Sequence, residues 1–105
     1  MRMGARTRRK ADRNQPELVK FIRLLGASFQ HTHSIPGALD GIIGYRGVDQ
    51  RVEIKDPQKI PSKRKLTGGE QEVFDGWNGR KPIIIETEGD VSRLLSIMSL
   101  DRELI

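Results

Sequence analysis

Gln50-Arg51-Val52-Glu53-Ile54-Lys55 is the stretch on which the fold turns. A strand points successive side chains to opposite faces. Val52 and Ile54 therefore face one way, and Glu53 and Lys55 the other. Thirteen residues before Glu53 stands Asp40, which follows a Pro36-Gly37 turn and opens a second apolar run, Ile42-Ile43. If the two runs pair as strands, two carboxylates and one ammonium converge at one spot. Oxygen ligands beside a lysine suit a hard divalent cation such as magnesium. A cation of that kind activates water against a phosphodiester.

Composition sets the frame around this pattern. A chain of 105 residues makes one domain with a single modest core. No run approaches the ~18 apolar residues of a membrane span, so no membrane partner is expected. Met1-Arg2-Met3-Gly4-Ala5-Arg6 leads into no apolar stretch, and no secretory signal is expected. Without cysteine there is no disulfide framework and no thiolate zinc site, which fits a reducing cytoplasm. The net charge of +5 is unevenly spread. Residues 1–13 hold six Arg or Lys against Asp12, and the rest of the chain balances. This reads as a disordered basic tail, including Arg8, Arg9 and Lys10, attached to a neutral domain at 14–105. A basic arm attracts nucleic acid; it also serves as a solubilising terminus with no specific partner.

Along the chain, Asn14 reads as an N-cap, with Pro16 in the first turn and Glu17 three residues after the cap. Leu18, Phe21, Ile22 and Leu25 then predict an amphipathic helix over 15–25, ended by Gly26. Residues 27–33 alternate as a strand. Asp40 to Tyr45 predicts a second strand, Gly47-Val48-Asp49 a hairpin turn, and Gln50 to Asp56 a third strand. A loop over 57–65 carries Lys59, Lys63, Arg64 and Lys65. Thr67-Gly68-Gly69-Glu70 has capping-box spacing and starts a helix bearing Val73, Phe74 and Trp77. Ile83-Ile84-Ile85 predicts a strand buried on both faces. Asp90 caps a last helix whose stripe is Val91, Leu94, Leu95 and Met98. The order αβββαβα places the chain in a mixed α/β class.

Asp40 with Glu53-x-Lys55, after a helix bearing Glu17 and before one bearing Gln71, resembles the PD-(D/E)XK nuclease superfamily. Within it, the chain is most similar to small stand-alone nucleases of the virus-type replication-repair branch (VRR-NUC-like), common in phage genomes. The resemblance covers roughly residues 14–96. Asn14-Gln15-Pro16-Glu17-Leu18, Gly26-Ala27, Pro36-Gly37-Ala38-Leu39-Asp40-Gly41, Glu53-Ile54-Lys55-Asp56, Lys65-Leu66-Thr67, Glu70-Gln71 and Trp77-x-Gly79 carry it. Leu39 stands where the family has its name-giving proline. The resemblance implies a restriction-endonuclease-like αβββαβ core, with a mixed four-stranded sheet flanked by helices. It implies that Asp40, Glu53 and the Ile54 carbonyl, with Glu17, ligate Mg²⁺ or Mn²⁺. Lys55 would orient or deprotonate the attacking water, and Gln71 would help position Lys55 or a phosphate. The implied activity is a DNA endonuclease, structure-selective on branched DNA such as four-way (Holliday) junctions. Paired cuts on so symmetric a substrate suit a homodimer.

Plainer readings stand beside these. Glu17 is also where a capping-box glutamate belongs. Glu53 and Lys55 also suit a surface ion pair, Asp40 a turn residue, and Gln71 a helix-surface amide. His31 and His33 share a strand face, which suits a transition metal, yet neither is assigned as a ligand. Lys59, Lys63, Arg64 and Lys65 either contact DNA backbone or are a solvated loop. The alternative to an enzyme is a non-catalytic nucleic-acid-binding module, with the tail and the 57–65 loop as its binding surface.

Overall fold

The computed structural model describes residues 13–104. Their elements are α1 (Gln15–Leu24), β1 (Ser28–His31), β2 (Gly41–Tyr45), β3 (Val48–Ile54), a 3-10 turn (Pro61–Lys63), α2 (Gly68–Gly76), β4 (Ile83–Ile85) and α3 (Glu88–Leu104). The four strands form one mixed sheet in the order β1-β2-β3-β4. The first three pair antiparallel, and β4 joins β3 in parallel. Among the described residues this is an α+β fold with three α-helices, and no helix is long and apolar enough to cross a membrane. The basic residues Arg8, Arg9 and Lys10 lie outside the described residues, as does the side chain of Lys63.

The core is built from the apolar stripes of α1 and α3 laid on the sheet. Leu18, Val19 and Ile22 from α1 meet Phe29, Ile43, Val52, Ile54 and Ile85, with Val91, Leu94, Leu95 and Met98 from α3. Fully burying each aliphatic side chain contributes ~1.5–3 kcal/mol. Val19 takes the place expected for Leu25, which is 40% exposed. The helix ends at Leu24, one residue early, and Gly26 (φ +92) turns the chain out. Glycine adopts that backbone at little cost.

The β2–β3 hairpin closes more tightly than expected. Tyr45 pairs with Val48, so the turn is Arg46-Gly47 alone, and both have positive φ (52 and 86). Those angles match the sense of strand twist. Val48 and Asp49 belong to β3, which ends at Ile54. Gly41 is required by close approach: a Cβ there would collide with the Phe29 ring and lie 2.7 Å from the Gln30 carbonyl.

Burial departs from the apolar pattern at two places. Phe74 and Val73 are half-buried and Trp77 is 41% exposed, its ring stacked beneath the Arg51 guanidinium at 4.1 Å. The helix that carries them is peripheral and contributes little to the core. Ile84 is 39% exposed because β4 is the sheet's edge strand and only its Ile85 face is covered.

Candidate active site

Asp40, Glu53, Lys55 and Glu70 are buried in one region at the end of β3. The β2–β3 register creates it. Gly41 pairs with Val52, so Asp40, one step before β2, comes level with Glu53. There the Asp40 Oδ2 accepts a hydrogen bond from the Ile54 N–H at 2.7 Å. That bond fixes the carboxylate against the strand that carries Glu53 and Lys55.

Lys55 continues the line of β3, its N–H donating to the Ile85 carbonyl at 3.1 Å. Its Nζ lies 3.5 Å from Glu53 Oε2 and 2.9 Å from Glu70 Oε1. Glu70 comes from the first turn of α2. Its carboxylate also accepts the Thr67 N–H at 2.9 Å, while the Thr67 hydroxyl accepts the Glu70 N–H at 3.2 Å. The capping box expected from sequence is therefore present, and its glutamate does a second job on Lys55. Burial pushes the Glu70 carboxyl up, but hydrogen bonds to Glu53, the Thr67 N–H and Lys55, with the Lys55 charge, hold it down to about 2.

Asn14 braces this region. It precedes α1, but its side chain makes no capping bond. Its amide instead donates to the Lys55 carbonyl and the Glu86 carbonyl, each at 3.1 Å. This ties α1 across the ends of β3 and β4. Asn14 is thus a cross-sheet clasp, and the expected capping box with Glu17 is absent. A similar shift occurs at α3: its box is made by Thr87 and Asp90, so Asp90 is the third helical residue and Thr87 the cap.

The other expected residues are more exposed. Glu17 is exposed, on a cleft of about 310 Å³ with Arg13, Asn14, Asp56 and Gln58. Gln71 is exposed and donates to Asp75 Oδ1 at 2.9 Å. Glu70, one residue earlier, reaches Lys55 instead. Lys59 and Lys65 are exposed, whereas Arg64 turns inward, 3.9 Å from Glu86 and bonded to the Pro57 carbonyl. A cleft of about 240 Å³, between the Gly37–Leu39 turn and the start of α2, opens onto Glu70.

The groups expected to hold a metal, Asp40, Glu53 and the Ile54 carbonyl, offer only oxygen. Among the described residues, no group of three or more His, Asp or Glu side chains is arranged to hold a metal ion. Mg²⁺ needs fewer, since it is held by one or two carboxylates and keeps several waters. Asp40 and Glu53 are both buried, and Lys55 lies beside Glu53. The residues therefore fit a hard divalent ion.

No protein-family model matches the chain, and no curated protein or solved structure matches it at a significant level.

Proposed function

We propose that this chain is a metal-dependent DNA endonuclease that hydrolyses phosphodiester bonds. The observation that carries the reading is the buried cluster of Asp40, Glu53, Lys55 and Glu70, assembled from three separate elements. Three acids and a lysine buried at one strand end cost folding free energy and contribute no core packing. Clusters of that kind belong to sites of chemistry. The order of elements and the mixed sheet are in keeping with the restriction-endonuclease-like core that the sequence resembles.

In this reading Asp40, Glu53 and the Ile54 carbonyl hold Mg²⁺ or Mn²⁺. When bound, the ion supplies Lewis acidity toward the phosphate and lowers the pKa of water. Asp40 is oriented for this by the Ile54 N–H. Lys55, held between Glu53 and Glu70, keeps its ammonium directed at the reaction centre. It orients the attacking water and stabilises charge on the phosphate as the bond breaks. Glu70 is a positioning residue for Lys55. Glu17 and Gln71 are assigned no step: Glu17 is exposed on the cleft with Asp56 and Gln58, and Gln71 is bonded to Asp75. Lys59 and Lys65 supply sequence-independent contacts to backbone phosphates. Branched substrates such as four-way junctions, and a homodimer to cut them in pairs, follow from the resemblance.

The test is cleavage of labelled four-way junction, single-stranded and duplex DNA with Mg²⁺ or Mn²⁺. EDTA, Asp40→Asn and Lys55→Ala are the controls. Cleavage lost in all three supports the reading and ranks substrates. Salt-sensitive binding without cleavage, indifferent to both substitutions, replaces it with a nucleic-acid-binding module. A monomer by light scattering at working concentration removes the homodimer.

A further inference from the structure

A cleft of about 640 Å³ lies between α1 and the chain at β1. Its volume is in the range of small-molecule sites, ~300–1,000 Å³. Pro16, Val19 and Leu24 give it apolar walls, and Lys20 and Arg23 place two cations on it. Arg23 is fixed by a bond from Nη2 to the Phe29 carbonyl at 3.1 Å. The opposite side carries the imidazoles of His31 and His33, set edge to face with centroids 5.9 Å apart.

Two polar atoms here are unusual. Gln15 is 2% exposed, and its Nε2 lies 3.4 Å from His31 Nδ1. Its Oε1, and His33 Nδ1, are buried with no hydrogen-bond partner among the described residues. Buried polar atoms without partners are costly and call for an explanation. Both residues line the cleft.

The cleft is also stitched to the site. Thr32, between the two histidines, donates its N–H to the Asp40 carbonyl at 2.9 Å and its hydroxyl to the Leu39 carbonyl at 2.6 Å. Asn14, the neighbour of Gln15, donates to the Lys55 carbonyl. Each wall is thus one residue from a group bonded to the chain of the acidic cluster.

We propose that this cleft holds one unpaired nucleotide of the DNA, beside the phosphate to be cut; the inference rests on the nuclease reading above. A nucleobase is a flat ring with donors and acceptors on its edge. Gln15 Oε1 accepts from an amino or imino group, and His33 Nδ1 donates or accepts according to tautomer. Apolar walls and imidazoles receive the faces of the ring, as in single-strand recognition. Lys20 and Arg23 take the flanking phosphates. A stacked, paired base reaches such a cleft only by leaving the helix, at the expense of its pairing. The site therefore selects DNA with unpaired nucleotides: flaps, branch points and single strands.

The test measures binding of the full chain in EDTA, so that no cleavage occurs. The probes are a blunt duplex and the same duplex with one unpaired 2-aminopurine. The expected result is affinity about tenfold or more higher for the second probe, with a change in 2-aminopurine emission. Lys20→Glu with His33→Ala abolishes the preference. Leu24→Glu, at a position 74% exposed and so tolerant of change, weakens it by placing a carboxylate at the cleft. Equal affinity for the two probes, or a preference that survives both sets of substitutions, overturns the proposal. The nuclease reading is judged separately with Mg²⁺. Duplex cleavage without any preference for the unpaired nucleotide retains the nuclease and removes the nucleotide site. A preference lost in the variants, in a chain that never cleaves, retains the site and removes the nuclease.

Discussion

Lys55 brings an ammonium into a position 7% exposed, between Glu53 and Glu70. Lys55→Met would leave those two carboxylates facing each other. Breaking a buried pair by removing one partner costs ~3–5 kcal/mol, so the variant should show a much lower denaturant midpoint. Its cleavage rate should fall ~10²–10⁴-fold if Lys55 also acts on water. Asp40→Asn separates chemistry from structure at the neighbouring position. The amide oxygen still accepts the Ile54 N–H, so melting should stay close to the parent while single-turnover cleavage disappears. A variant that melts far lower yet still cleaves would make Asp40 only a turn residue. Asp40, Glu53 and Lys55 were readable because strand alternation and a Pro-Gly turn fix where those side chains go. Glu70 was visible as a capping glutamate, but its reach to Lys55 depends on how α2 sits against β3. No local pattern encodes that docking. Asn14 misled for a related reason: a capping residue and a cross-sheet clasp look the same in sequence.

At the scale of elements, α2 links stability to the site. Thr67→Ala removes one half of the capping box and should cost ~1 kcal/mol in equilibrium unfolding. It also loosens the first turn that presents Glu70 to Lys55, so cleavage should fall as well. A loss of stability with cleavage unchanged would show that Glu70 does not position Lys55. Acid unfolding provides a second check. The Glu70 carboxyl is held at about 2 in the fold against the usual 4.5. The unfolded chain therefore takes up that proton first as pH falls. The stabilisation is complete above about 4.5 and is lost as pH drops toward 2. Glu70→Gln should flatten that part of the stability–pH curve, and an unchanged slope would refute the assignment. The β2–β3 hairpin offers a gain instead. Arg46 holds a positive φ of 52, which disfavours a side chain of its kind by ~1–2 kcal/mol. Arg46→Asn suits that turn and should raise the melting temperature. Element order was legible because each hydrophobic run has its own period and boundary residues. The exposure of Ile84 and Trp77 was not, because it follows from β4 lying at the sheet edge and α2 at the periphery.

Over the whole molecule, the test of the metal assignment is thermodynamic and independent of any substrate. The folded chain gathers Asp40, Glu53, Lys55 and Glu70 at the end of β3, and unfolding disperses them. A divalent cation that binds this cluster stabilises the native state by RT ln(1 + [L]/Kd), ~2.7 kcal/mol at a hundredfold excess over Kd. For a domain of this size each kcal/mol moves the melting temperature by ~4–8 °C. Mg²⁺ or Mn²⁺ should therefore raise the melting temperature of the parent in a saturable way, and EDTA should reverse it. Asp40→Asn and Glu53→Gln should each remove most of the response. Glu17→Gln should leave it intact, because Glu17 opens onto a different cleft. A response lost with Glu17→Gln would move the ion to the mouth of that cleft. If saturating Mg²⁺ changes neither melting nor cleavage, the metal-dependent mechanism would have to be abandoned.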